Sequence, residues 1–113
     1  MERYLSALTI AGSDPSGGAG LQADLKTFSA LGVYGTSAIT AVTVQNTVGV
    51  KYVHKLPPQV VYDQIETVME DIHIDAVKIG MVNDAETLDA VVKALNRHNP
   101  AFLVVDPVMV STS

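Results

Sequence analysis

Short, nearly continuous apolar runs alternate along this chain with stretches in which apolar residues return every three or four positions. Leu5–Ala11, Ser37–Val44, Ala76–Ile79 and Phe102–Val105 are rich in Val, Ile, Leu and Thr, the pattern of parallel strands covered on both faces. Between them, Leu21/Leu25/Phe28/Leu31, Val61/Ile65/Val68/Ile72 and Leu88/Val91/Val92/Leu95 mark the buried stripes of three helices. Gly32 is placed as a left-handed cap after the first helix, Pro57-Pro58 opens the second, and Asn83 with Glu86 resembles a capping box for the third. The segment Asn46–Lys55 is less regular and reads as a flap or small β-excursion beside the main sheet. Repeated βα units of this kind predict an α/β fold with a mostly parallel sheet of at least four strands.

The first strand runs into Ala11-Gly-Ser-Asp-Pro-Ser-Gly-Gly-Ala-Gly-Leu-Gln-Ala-Asp24. Gly17, Gly18 and Gly20 let backbone N–H groups approach a bound group, and a helix N-terminus follows, so the turn predicts a polar or anionic small molecule. Two familiar motifs fall short. Gly12-Ser-Asp-Pro-Ser-Gly17 has the Walker A glycine spacing, but Gly18 and Ala19 stand where Lys and Ser/Thr are required. Gly18-Ala-Gly20-Leu-Gln-Ala23 matches a loose dinucleotide fingerprint, yet starts well after the strand ends at Ile10.

Composition narrows the partners. The 113 residues are 48% hydrophobic and 17% charged, enough for one globular domain or part of one and short for a complete doubly wound enzyme. A net charge of −5 without any Lys/Arg cluster argues against nucleic acid and anionic membrane surfaces. There is no cysteine, which excludes disulfides and thiolate metal sites and suits a reducing cytoplasm, the expected location. His54, His73 and His98 lack metal-ligand spacing and read as ordinary surface or helix-end residues.

Ligands of open α/β sheets bind beyond the carboxyl ends of the strands. Those ends carry Gly12-Ser13-Asp14, Gln45-Asn46, Gly80-Met81 and Asp106-Pro107-Val108, polar groups between small and apolar ones, as in small-molecule pockets. Gln45 offers a planar donor–acceptor edge that matches an aminopyrimidine, or else bonds to backbone. Asp24 lies three residues after Leu21 and four before Phe28, beside the apolar stripe, where a carboxylate is either paired or binds something; helix-dipole decoration is the alternative. Asp106 either starts a turn or faces a metal–phosphate group. Met81 and Val108 are wall candidates by position alone.

The segment Ala11–Lys26, with Thr40-Ala-Val-Thr-Val-Gln-Asn-Thr47, Lys78-Ile-Gly-Met81 and Asp106-Pro-Val-Met-Val110, resembles the hydroxymethylpyrimidine/phosphomethylpyrimidine kinases of thiamine biosynthesis, members of the ribokinase-like superfamily. The resemblance spans nearly the whole chain. It implies a three-layer α/β/α fold, and ATP- and Mg2+-dependent phosphorylation of 4-amino-5-hydroxymethyl-2-methylpyrimidine and then of its monophosphate. It further implies that Gly12, Asp24 and Gln45 hold the pyrimidine, that Met81 and Val108 wall it, that Asp106 lies near the magnesium–phosphate region, and that Asn46–Lys55 shields the site.

Relatives of that family continue past the position of Ser113 into an anion hole and an adenine site. On the resemblance, residues 1–113 are the N-terminal, acceptor-binding part of a single ribokinase-like domain, cut short after the fourth or fifth strand, with no general base to assign. An open sheet edge at that point predicts a homo-oligomer, a poorly soluble domain or a fragment of a longer protein. A non-catalytic pyrimidine-binding relative and a pyridoxine or other vitamin B6 kinase are the alternatives.

Overall fold

The computed structural model describes residues 4–82 and 84–106. Its elements in chain order are β1 (Ser6–Ser13), α1 (Gly20–Ala30), β2 (Tyr34–Gln45), β3 (Val50–Lys55), α2 (Pro58–Asp71), β4 (Ala76–Ile79), α3 (Ala85–His98) and β5 (Phe102–Val105). The five strands form one sheet in the order β3-β2-β1-β4-β5. Four run parallel, while β3 pairs antiparallel with β2. The segment expected beside the sheet is therefore its edge strand. A tight turn closes that hairpin: Asn46 Oδ1 accepts from the backbone N–H groups of Val48 (2.9 Å) and Gly49 (3.2 Å), a local bond that lets Asn start a turn.

Side chains alternate across a strand, and here the alternation separates two unlike faces. Leu8 and Ile10 of β1, with Val77 and Ile79 of β4, point to one face and pack with Val61 and Ile65 of α2 and Val91, Ala94 and Leu95 of α3. The residues between them, Thr9 and Lys78, point to the other face, toward α1. Helix α1 thus covers one side and α2 with α3 the other, the three-layer α/β/α arrangement. The large aliphatic core lies in the α2/α3 half, and the polar residues of the sheet lie under α1.

Several boundaries follow the expected chemistry. Gly32 has φ +74° just after the C-cap residue Leu31, and Pro57 and Pro58 stand at the N-cap and first turn of α2. Others differ. Asn83 lies outside the described residues, and the cap of α3 is Asp84, whose carboxylate accepts from the Thr87 N–H at 2.7 Å. The buried stripe of α3 is Thr87/Val91/Ala94/Leu95, while Leu88 and Val92 are exposed; the face with the small Ala94 is the one that meets α2. Leu31, expected in the α1 stripe, is exposed because the helix ends at Ala30. All four residues of β5, expected to be covered, are exposed: the strand pairs with β4 at the end of the sheet order.

The seam between α2 and α3 has one buried charge. Glu66 is 7% exposed, and its Oε2 lies 3.1 Å from His98 Nε2 and 3.8 Å from Arg97 Nη1. The hydrogen bond from His98 holds the Glu66 carboxyl below the usual range, against the opposing effect of burial. His98 is a helix-end residue, as expected, but it is engaged across the seam.

Asp84 also pairs with Lys55 at the end of β3, so one carboxylate ties the edge hairpin to α3. The Lys55 bond and then the Thr87 bonds lower its pKa from 3.8 to about 2. The unfolded value is the higher one, so this stabilisation is complete above about pH 4 and is lost as pH falls toward 2. Asp84→Ala is expected to lower the melting temperature at neutral pH, and the gap to the native protein should narrow through that acid window. A gap that stays constant in melting curves down to pH 2 would count against the ionic contribution.

Candidate functional site

In the strand order, β2 lies on one side of β1 and β4 on the other, so the chain leaving β1 and the chain leaving β4 turn away from each other. A crevice must open between them, the switch point at which open α/β sheets bind ligands. Here it is a cavity of about 320 Å3, lined among others by Gly12, Asp24, Gln45, Lys78, Met81 and Asp106. Five of the six residues singled out from the sequence as binding candidates thus share one cavity. Val108 lies outside the described residues. A larger groove, about 680 Å3, runs between α2 and α3 away from these strand ends. Within it Lys93 lies 2.9 Å from Asp89, and Arg97 Nη1 donates to Tyr62 Oη at 3.3 Å.

The glycine-rich turn does something other than its sequence suggests. Its N–H groups converge on the chain's own Asp14, which is 4% exposed. Oδ1 accepts from the Ser16 N–H (2.9 Å) and hydroxyl (2.6 Å), and Oδ2 from the Ala19 N–H (2.9 Å). The Ser16 hydroxyl is the chief cause of a lowered Asp14 pKa, with backbone bonds adding to it. The anion expected from outside is therefore supplied within, because a buried carboxylate needs several donors. Gln22 of α1 completes the anchor, accepting from the Asp14 N–H at 2.8 Å and donating to Ser13 Oγ at 2.7 Å. Lys26 Nζ donates to the Gly17 carbonyl at 3.0 Å. Together these bonds fix the entry of α1 over the end of β1.

That fixed entry places Asp24. Its side chain is 12% exposed, and it is paired as its position required: Oδ2 accepts from Thr9 Oγ1 at 2.6 Å and Oδ1 from Lys78 Nζ at 2.5 Å. Lys78 also stands 3.8 Å from Asp106, whose own side chain is 63% exposed. Helix-dipole decoration does not describe a carboxylate held by two residues of the sheet.

Gln45 is set by a bulge. Ala11 pairs with Ile39 but Ser13 with Val42, so β2 carries one extra residue there, and such a bulge re-aims the residues after it. Just before the β3 pairing begins at Ala41, the amide of Gln64 of α2 bonds the Ile39 N–H and C=O, each at 2.9 Å. Past the bulge, Thr43 Oγ1 lies 2.7 Å from the Ser13 carbonyl and 2.6 Å from Gln45 Oε1, both acceptors. A hydroxyl has one hydrogen. That hydrogen goes to the Ser13 carbonyl or to Gln45 Oε1, and the Gln45 NH2 group takes no part in this pair of bonds. Met81 closes over Gly12, where a Cβ would come 3.3 Å from its Cε, and Thr40 Oγ1 donates to the Met81 carbonyl at 2.9 Å.

Sequence reasoning missed Lys78, Thr9 and Thr43 as parts of the site. For Lys78 a signal was present: a Lys between two apolar residues of a short strand, Val77 and Ile79, needs a carboxylate partner, and Asp24 needed a cation.

The fold defines a ribokinase-like α/β protein with a cavity at the switch point of its sheet. A family model described as phosphomethylpyrimidine kinase matches residues 14–113, and the chain belongs to that family. It is 52% identical over 109 residues to a hydroxymethylpyrimidine/phosphomethylpyrimidine kinase of Salmonella typhimurium, covering 96% of this chain and 41% of the relative. The Escherichia coli protein of the same description is 51% identical, with 98% and 42% covered. Among solved structures, a phosphomethylpyrimidine kinase from Clostridium difficile superposes with a TM-score of 0.90 at 58% identity, covering 96% of this chain and 47% of that one. A Staphylococcus aureus pyridoxal kinase in complex with AMP-PCP and pyridoxal gives 0.84 at 42% identity, with 95% and 40% covered. The chain thus spans about two fifths of the length of the curated relatives it matches.

The turn that carries the site has little tolerance. Gly20 has φ +61°, and a Cβ there would come 2.4 Å from the Gly12 carbonyl oxygen. Gly20→Ala is expected to cost at least ~2 kcal/mol, from left-handed backbone and backbone overlap together. Urea unfolding of the variant checks this; a midpoint unchanged from the native protein would contradict it.

Proposed function

We propose that the cavity is the acceptor site of an ATP-dependent kinase of thiamine biosynthesis, and that its substrate is 4-amino-5-hydroxymethyl-2-methylpyrimidine and then the monophosphate. One observation carries the reading: Gly12, Asp24, Gln45 and Met81 come from separate strand ends and from α1, and converge on one cavity. Its volume is at the small end of the ~300–1,000 Å3 range of ligand sites, which suits a single ring. Gln45 offers an amide edge to an aminopyrimidine, Asp24 accepts from an amino or hydroxyl group, and Met81 supplies an apolar wall. Phosphoryl transfer depends mainly on positioning and charge stabilisation, so these residues act by fixing the ring and its hydroxymethyl oxygen.

ATP and Mg2+ belong to the same reading. The described residues contain no cluster of three potential metal ligands. Asp106 is a single exposed carboxylate at the cavity, which fits Mg2+ held chiefly by nucleotide phosphates with one carboxylate beside them. When bound, the metal–nucleotide supplies the phosphoryl group and neutralises charge on it. The role we give the edge hairpin β2–β3, whose β2 residues Thr43 and Gln45 line the cavity, is to limit water there. No helix among the described residues is long and apolar enough to cross a membrane, and we place the protein in the cytoplasm, working as a homo-oligomer.

The likeness to pyridoxal kinases favours one second reading, in which the acceptor is a vitamin B6 alcohol. The deciding experiment is ADP release by the polypeptide at its native length, with Mg-ATP and the pyrimidine, its monophosphate or pyridoxine as acceptor. Turnover with the pyrimidines is the expected result. Turnover with pyridoxine alone would transfer the assignment to the second reading, and binding without turnover would make this a non-catalytic module. Gln45→Met separates the rings: it is expected to weaken aminopyrimidine binding by about 1–3 kcal/mol and pyridoxine binding much less. Equal losses in calorimetry would remove Gln45 from the pyrimidine edge.

A further inference from the structure

Lys78 is the sole cationic side chain among the described residues that line the cavity. It is the register partner of Thr9 across the central pair β1 and β4. Their side chains therefore leave the sheet next to each other, on the α1 face, beside the switch point. Both end on the same carboxylate: Thr9 on Oδ2 of Asp24 and Lys78 on Oδ1. A carboxylate has about four lone-pair sites. Two are taken from the sheet side, and Asp24 lines the cavity, so the remaining two are those a ligand meets.

We propose that Lys78 is a positioning residue of the acceptor site: with Thr9 it fixes Asp24 as an oriented acceptor that selects ligands presenting an N–H or O–H donor at that point. The proposal rests on the acceptor-site reading above. The physical need is clear from burial. Asp24 is 12% exposed, and a carboxylate so placed is costly to bury unless a cation and hydrogen-bond donors hold it. Lys78 also stands 3.8 Å from Asp106, so one ammonium group links the α1 wall to the end of β5 across the cavity floor. Of these three groups two are anionic and one cationic. The ammonium is thereby committed to the protein's own carboxylates, and ring selection falls to Asp24 and Gln45.

Four variants at native length test this: Lys78→Met, Lys78→Arg, Asp24→Asn and the Lys78→Met/Asp24→Asn pair. Each is measured by calorimetry with 4-amino-5-hydroxymethyl-2-methylpyrimidine and by thermal melting. Lys78→Met is expected to weaken binding tenfold or more, Lys78→Arg to recover most of that, and Lys78→Met to add less than threefold on top of Asp24→Asn. Binding within twofold of native in Lys78→Met, no recovery by Arg, or fully multiplicative losses would each overturn the proposal. A lowered melting temperature with unchanged affinity would leave Lys78 a purely structural residue and would overturn it as well. A second measurement does not depend on the ligand: the Lys78 ammonium should give a slowly exchanging 15N-bound proton signal that disappears in Asp24→Asn and persists in Gln45→Met. If native protein binds neither pyrimidine nor pyridoxine, the acceptor reading fails. The clamp is then decided by that signal, and its absence from native protein overturns it.

Discussion

Strand β1 has to satisfy two neighbouring strands and two helix layers at once, and the rest of the molecule follows from that constraint. Its first seven residues are buried; large aliphatic side chains serve the α2/α3 layer, and small or hydroxyl-bearing ones serve α1. A strand flanked by β2 on one side and β4 on the other cannot have its following loop packed against both. The crevice at its carboxyl end is thus a consequence of topology, and the residues that line it were brought there by packing elsewhere.

The glycine-rich turn shows how strongly a buried charge organises a loop. The donors that Gly17, Gly18 and Gly20 make accessible are largely used on Asp14, so the turn is a rigid bracket. That bracket sets the start of α1, and α1 sets Asp24. The rigidity suits the acceptor role proposed for the cavity, because a small displacement of a hydrogen-bonding group at a reacting centre is costly. The polar face of the sheet has the same character: Thr9, Thr43 and Lys78 are all bonded to groups of the protein itself, so these side chains are held by the fold.

Much of this was legible in the residues. Continuous apolar runs located four of the five strands, and three-to-four spacing located all three helices; for β1, β2, β4 and the helices burial of one or both faces leaves that trace, while β5 is apolar though exposed. Asp24 beside an apolar stripe already demanded a partner. Less was legible where contacts are long-range. The stripe of α3 was misplaced by Leu88 and Val92 because apolar character alone does not say which flank of a helix meets its neighbour. The cap of α3 is Asp84, and a capping bond depends on backbone geometry as much as on residue type.

The sequence by itself determined the class of the fold, the strand ends that border the cavity, and most of the residues that meet there. Those properties depend on local pattern and on the general rule that α/β crevices open at carboxyl strand ends. Tertiary structure alone decided that the glycine turn closes on Asp14, that β3 joins the sheet as an antiparallel edge, and that Lys78, 54 residues from Asp24, supplies its counter-charge. Each of these depends on which strands become neighbours and in what register, and spacing along the chain carries no record of that.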